Sequence, residues 1–249
     1  MNFDRVAPHY RWLETVTFGS ALEKSRNYWI RRVPRPKRAL IVGEGNGRFL
    51  CELLRVHPGI DVDCVDASVR MLEVARARVR RLHPASYRFV RFIQSDVLAW
   101  SPSDSYDLVV THFFLDCFNE KQLRLVVSKL ANAARENSIW LIADFTVPVE
   151  VFARAHAMFW LRTMYAFFRV TAQLENKRLV HPRRYLESEG FARMATESFR
   201  WKMIQAEIYA RSVGGALPDG TRAFLSSLTI ADDNPGILLK ASHCGSVAH

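Results

Sequence analysis

The stretch Ala39-Leu40-Ile41-Val42-Gly43-Glu44-Gly45-Asn46-Gly47-Arg48-Phe49-Leu50 decides the fold. An apolar run of strand character ends in three glycines at alternate positions, and an apolar, helix-compatible stretch begins directly after them. Glycine lets the backbone turn tightly and lets a ligand approach with no side chain in the way. The helix that follows carries N–H groups without intrahelical partners, pointing back at the turn. The arrangement reads as a nucleotide-type ligand site at the first strand-to-helix turn of an α/β sheet.

Outward from this turn, strand and helix patterns alternate, which argues for a parallel sheet with helices on both faces. Strands are expected at about 38–43, 60–66, 88–94, 106–112 and 138–145, with helices at about 46–57, 68–83 and 119–136. His57-Pro58-Gly59 and His83-Pro84 punctuate the first two helices. Ser68 is the expected N-cap of the second, whose apolar stripe is Met71, Leu72, Ala75 and Val79. Residues 1–33 read as helical and are closed by Pro34 and Pro36. Beyond the fifth strand, residues 149–172 form a helix candidate crowded with aromatic side chains, with Arg154, Arg162 and Arg169 on one quarter of its circumference. A short helix at 182–190 and two strands at about 192–200 and 203–210 follow. The resulting layout is an N-terminal helical lid (1–36), a main domain (37–211) with a helical cap inserted at about 149–190, and an irregular tail (212–249).

With 249 residues, the chain can build one sizeable core. No segment reaches about 18 uninterrupted apolar residues, and the N-terminus lacks a signal-peptide pattern, so a cytoplasmic protein is expected. Cys51, Cys64, Cys117 and Cys244 are scattered, which reads as reduced thiols. No Cys or His cluster has ligand spacing, so no metal site is expected. The net charge of +10 suits an anionic partner, such as nucleic acid, an acidic membrane surface or an anionic substrate. The arginines are nevertheless dispersed rather than gathered in one tract, as on an ordinary solvated surface.

The glycine spacing narrows the ligand. Dinucleotide sites use Gly-x-Gly-x-x-Gly, whereas here Arg48 stands three residues after Gly45. The loop lacks the Lys-Ser/Thr pair of a Walker-type phosphate loop. Gly43-x-Gly45-x-Gly47 resembles the cofactor loop of class I S-adenosylmethionine-dependent methyltransferases. The second strand ends in Val65-Asp66-Ala67-Ser68 and continues into Met71-Leu72-Glu73-Val74-Ala75, which is similar to that family's Asp-x-Ser-x-x-Met-Leu-x-x-Ala pattern. Asp66 lies 23 residues beyond Gly43, and its two carboxylate oxygens suit a vicinal ribose diol. The third strand ends in Ile93-Gln94-Ser95-Asp96-Val97, where the family's acid accepts from the adenine amino group and a nearby N–H donates to the ring. Phe3-Asp4-x-x-Ala7-x-x-Tyr10 resembles the start of the ubiquinone/menaquinone C-methyltransferase group, in which the segment folds over the cofactor and the tyrosine lies beside it. One departure stands out. Ile41 occupies the position, two residues before the first glycine, where the family has an acid for the methionine amino group.

The resemblance covers about residues 1–210. It implies a Rossmann-like α/β fold with a seven-stranded, mostly parallel sheet, S-adenosyl-L-methionine as cofactor, and a small-molecule methyl acceptor of apolar or aromatic character. The cofactor residues it implies are Tyr10, Gly43, Glu44, Gly45, Gly47, Asp66, Ala67, Ser68, Met71, Asp96, Val97 and Thr111. If the acceptor must lose a proton, the candidate bases are His112 and Asp116 after the fourth strand and His156 on the aromatic helix. That helix reads as core, as the wall of an apolar pocket, or as a peripheral membrane contact. Two competing readings stay open. One is an RNA methyltransferase, suggested by the charge but without an RNA-binding module or an Asn/Asp-Pro-Pro-Tyr/Phe motif. The other is a non-catalytic ligand-binding protein, suggested by Ile41.

Overall fold

The computed structural model describes residues 20–146, 181–200 and 202–211. Most of the expected lid, most of the aromatic cap and the tail lie outside the described residues, and Tyr10 and His156 lie outside them too. The element order is α1 (Ala21–Asn27), β1 (Arg38–Val42), α2 (Arg48–Val56), β2 (Asp61–Asp66), α3 (Val69–Leu82), β3 (Val90–Gln94), β4 (Tyr106–His112), α4 (Glu120–Ala133), β5 (Ala134–Phe145), α5 (Arg183–Ser188), β6 (Phe191–Phe199) and β7 (Ile204–Arg211). The sheet has seven strands in the order β3-β2-β1-β4-β5-β7-β6. β1 to β5 run parallel, and β7 runs antiparallel to both β5 and β6. The strand order reverses between β1 and β4, which places the glycine turn at the topological switch point where open α/β sheets bind ligands.

Local signals set the helix starts. The Ser68 hydroxyl accepts from the Met71 N–H at 3.2 Å and caps α3 as expected. Asn119 and Gln122 form a reciprocal capping box at α4. The helix end expected near 136 is revised. α4 stops at Ala133 and β5 begins at once. The β4–β5 register steps from Tyr106↔Ala134 to Leu108↔Ile139, so the residues around Asn137 bulge out of the ladder. Asn137 takes a φ of +66°, which asparagine tolerates better than most residues, and Arg135 is held to Asp107 at 3.0 Å. Helical periodicity runs through this segment, but pairing with β4 overrides it.

The sheet is covered on both faces. On one, Ile41, Cys64 and Val110 pack with Trp29, Phe49 and Leu53. On the other, Val42, Val109 and Trp140 pack with Leu123, Val127 and Leu186. Strands buried on both sides read as nearly continuous apolar runs, as β1 and β4 do. At the edge opposite the glycine turn, a polar network crosses the strand starts. Asp63, only 2% exposed, accepts from Tyr106 Oη at 2.6 Å and from Arg91 Nε at 2.5 Å. Asp104 bridges Arg91 and Arg38. Among the described residues, no helix is long and apolar enough to cross a membrane.

Candidate active site

The glycine turn sits at the carboxyl end of β1 and is tied to β2 by the Gly43 N–H, which donates to the Val65 carbonyl at 2.9 Å. All three glycines have positive φ, at +72°, +69° and +76°, but for different reasons. A Cβ on Gly43 would lie 2.3 Å from the Phe114 ring, and one on Gly47 would lie 2.8 Å from Ala75 Cα. Those two glycines therefore serve close protein packing. Among the described residues, a Cβ on Gly45 would meet nothing within 4 Å. Gly45 faces the open side of the turn.

Asp66, at the end of β2, reaches across to that open position. Its Oδ2 accepts from the Gly45 N–H at 3.0 Å, and its Oδ1 accepts from the Ser68 N–H at 2.9 Å. Two backbone donors thus fix the carboxylate plane beside the glycine turn.

Glu44 occupies a place that the sequence alone did not assign. Its Oε1 accepts from the Leu50 N–H at 3.1 Å, so it caps the start of α2 from within the turn. The expectation that the first amides of α2 point freely at a ligand is corrected here, because one of them is already satisfied. Burial pushes the Glu44 carboxyl up to about 7, against the opposing pull of the Leu50 amide and of Arg26. Ile41 is 1% exposed and packs in the core, so its position offers no polar group to a ligand.

The loops after β3 and β4 complete the rim. Asp96 is exposed, and its Oδ1 accepts from the Leu98 N–H at 2.9 Å. Val97 is buried beneath it. Lys129, on α4, donates to the carbonyls of Val97, Leu98 and Trp100 at 2.9, 2.7 and 2.7 Å, and so fastens the Asp96 loop to the body. Ala67 is exposed beside Asp66, and Met71 is half-buried. Thr111 is not brought to the rim. It is 0% exposed, and its hydroxyl accepts from the Trp140 indole N–H at 2.9 Å in the core. Strand alternation turns Thr111 to the α4 face and its neighbour His112 to the α2 face, where the His112 ring meets Phe49 edge-on at 4.6 Å. Burial, reinforced by Arg26, holds the His112 imidazole well below its ordinary value and therefore neutral.

After His112 the chain takes a strained step. Phe113 has a φ of +52°, unusual for an aromatic residue. Its N–H donates to the Ala143 carbonyl at 2.6 Å, and its ring packs on Phe145 at 4.9 Å. This step lays Phe114 over Gly43 and brings Asp116 towards the end of β5. Asp144, the penultimate residue of β5, lies there. Neither of its carboxylate oxygens touches solvent or has a hydrogen-bond partner of ordinary geometry among the described residues. Burial pushes the Asp116 carboxyl up to about 6. Burial and the Asp116 charge push Asp144 well above the usual carboxylate range. Cys117 donates to Asp116 Oδ1 at 3.6 Å. Asp144, Lys129 and Phe114 were not singled out in the sequence. Asp144 alone left a signal there, as a lone acid ending an apolar strand, just as Asp66 does.

Residues 40–139 match a family described as a methyltransferase domain. The match spans less than half of the chain. Malonyl-[acyl-carrier protein] O-methyltransferase of Paenibacillus sp. (strain JDR-2) is 29% identical over 111 residues, covering 43% of this chain and 38% of that protein. The chain thus matches well under half of that relative's length. An O-methyltransferase family protein from Burkholderia thailandensis superposes with a TM-score of 0.59 at 17% identity, over 79% of this chain and 58% of that one. Magnesium protoporphyrin IX methyltransferase from Synechocystis PCC 6803, solved with bound SAH, gives a TM-score of 0.55 at 18% identity, over 77% of this chain and 82% of that one. At such identities the structural likeness establishes the fold alone. The glycine turn, Asp66 and the Asp96 loop all fall within the matched segment, whereas Asp144 lies beyond it.

The raised Asp144 carboxyl has a consequence for stability. A carboxyl whose folded value exceeds its unfolded value favours the fold at low pH, and that contribution is lost as pH rises through the folded value. Asp144→Asn removes this penalty, while Glu44, Asp116 and His112 contribute to both proteins. In urea denaturation the variant should be more stable than the parent, with a gain that grows as pH rises above the ordinary carboxylate range. A gain that shrinks as pH rises would show that Asp144 is charged at little cost.

Proposed function

We propose that the chain is an S-adenosylmethionine-dependent methyltransferase acting on a small, apolar or aromatic acceptor in the cytoplasm. The observation that carries this reading is the paired placement of Asp66 and Glu44 around the open Gly45. Asp66 holds a carboxylate beside the glycine turn, and a carboxylate's two oxygens suit a ribose diol. Glu44 puts a carboxyl oxygen on the start of α2, the position that a dinucleotide pyrophosphate would need. The turn therefore suits a nucleoside ligand without phosphate. S-adenosylmethionine supplies an activated methyl group on a sulfonium, so the protein's task is to hold and align the reactants.

In this reading Asp66 accepts the ribose hydroxyls. Asp96 and the Val97 amide meet the adenine, with Lys129 keeping their loop in place. Ala67, Ser68 and Met71 border the same pocket, and Tyr10, by resemblance, lies beside the cofactor. Glu44 is the acid left to meet the methionine ammonium, since Ile41 cannot. Thr111 supports the site from the core through Trp140. Phe113, Phe114 and Phe145 line the end of the sheet and favour an apolar acceptor. Asp116 is the foremost candidate base, because it stands at the acceptor side with a carboxyl near 6. His112, neutral but packed against Phe49, and His156 are the alternatives.

Calorimetric titration tests the reading. S-adenosylmethionine and its demethylated product should both bind at micromolar concentration, and NAD should not. Gly45→Ala should weaken both by at least about tenfold while costing about 1–2 kcal/mol of stability from the left-handed backbone. If neither ligand binds the parent protein, the non-catalytic reading takes over. An acceptor screen would start with quinones and phenols.

A further inference from the structure

We infer that Asp116 and Asp144 act as one acid–base unit that takes the acceptor's proton, and that the positive charge of the bound cofactor drives this unit into its ionised, proton-accepting form. The inference rests on the reading of the site as an S-adenosylmethionine site. Asp116 lies in the one-turn 3₁₀ segment Leu115–Cys117 after β4, and Asp144 comes from the end of the neighbouring β5. The strained Phe113 and its bond to Ala143 fold the first loop onto the second strand. Both therefore stand at the carboxyl edge of the sheet, Asp116 after the strand next to β1 and Asp144 on the strand beyond it.

Asp144 supplies the observation that points to a ligand. Its two oxygens are shut off from water with no hydrogen bond of ordinary geometry among the described residues. Buried polar groups are normally satisfied, and an unsatisfied one at a strained turn calls for an account. The protein does little to hold a charge there. Among the described residues, the titratable groups bearing on Asp144 are Asp116 from the post-β4 turn and Glu207 from β7, and both disfavour its ionisation. Burial, then the charges of Asp116 and Asp144, raise Cys117, which stays a thiol. The amides of Phe114 and Phe113 pull Asp144 the other way, less strongly than burial and Asp116 push it. Two neighbouring carboxyls in such surroundings share a proton rather than both ionising. A unit in that state is a poor base until a positive charge arrives.

S-adenosylmethionine carries that charge on its sulfonium, and its demethylated product lacks it while keeping every other group. A cation held in a dry site favours the ionised carboxyl. With the unit ionised, the acceptor's X–H proton passes to it while the lone pair of X forms the new bond to the methyl carbon. The electron pair of the broken carbon–sulfur bond stays on sulfur, leaving a neutral thioether. Charge and atoms balance with no further reactant. After transfer the sulfur is neutral, and the unit retains the proton it has received.

The experiment is proton-linked calorimetry on the full chain. S-adenosylmethionine and S-adenosylhomocysteine are each titrated near pH 6 in two buffers of different ionisation enthalpy. The methylated ligand should release roughly half a proton more per site than the demethylated one. Glu44 would answer the methionine ammonium common to both ligands, so its contribution cancels in the difference. The difference should vanish in Asp144→Asn and in Asp116→Asn. Tight binding of both ligands with equal proton counts overturns the inference and leaves the cofactor assignment standing. A difference that persists in both variants overturns it as well, by assigning the proton elsewhere. Absence of binding by either ligand overturns the cofactor assignment itself, and this inference with it.

Discussion

Asp66→Ala should lower the affinity for S-adenosylmethionine by roughly 100- to 1,000-fold. A hydrogen bond to a charged group contributes about 1.5–3 kcal/mol, and two ribose hydroxyls would lose such a partner. The variant loses more than those contacts. Asp66 also accepts from the Gly45 and Ser68 amides, so its removal frees the glycine turn on one side and the approach to α3 on the other. Asp66→Asn should be nearly as severe, because its NH₂ group would face one of those two N–H donors. Ser68→Ala removes the α3 cap, costing about 1 kcal/mol of stability, and should lower affinity far less than Asp66→Ala does. Titration calorimetry on the folded variants decides this. Unchanged affinity in Asp66→Ala would remove Asp66 from the cofactor site.

The largest effect on stability is expected at the opposite edge of the sheet. Asp63→Ala should cost about 3 kcal/mol and lower the melting temperature by about 6–12 °C. The side chain accepts from Tyr106 and Arg91 inside the protein, and Arg38 and Asp104 complete the cluster. Removing the acid leaves the buried Tyr106 hydroxyl without its partner and the guanidinium of Arg91 with Asp104 alone. Arg91 is 51% exposed, so water takes over part of its loss, which keeps the cost below that of a fully buried pair. Tyr106→Phe removes only the donor and should cost about 1 kcal/mol. Both variants should bind the cofactor like the parent, because the cluster lies at the far ends of the strands. Urea denaturation measures the cost. A loss in Asp63→Ala below about 1 kcal/mol would class the cluster with ordinary exposed ion pairs.

These two sites differ in how far the sequence reveals them. Asp66 was legible because its meaning is local. It ends an apolar strand, stands at a fixed distance beyond the glycine turn and precedes a helix cap. Asp63, two residues earlier, has the same side chain and no local signature. Its partners Arg91 and Tyr106 are 28 and 43 residues away, and only the strand register brings them together. The same holds for Lys129, whose three carbonyl partners lie about 30 residues earlier, across a helix–loop contact. Thr111 shows the reverse error. Its place at the end of β4 suggested a ligand contact, but alternation along the strand directs it to Trp140 and leaves the adjacent His112 to face the other layer.

What the sequence by itself determined was the alternation of strands and helices, their order, the glycine turn and the capped start of α3. Each is fixed by contacts within a few residues: apolar periodicity, left-handed backbone at glycine, and a serine hydroxyl reaching three residues ahead. The tertiary structure decided where α4 gives way to β5, since pairing with β4 outweighs helical periodicity around Asn137. It decided the three separate roles of the glycines, because Phe114 and Ala75 approach Gly43 and Gly47 from distant elements while no described residue approaches Gly45. It also decided that Asp116 and Asp144, 28 residues apart, stand at neighbouring strand ends, where a turn with positive φ at Phe113 bonds back to Ala143.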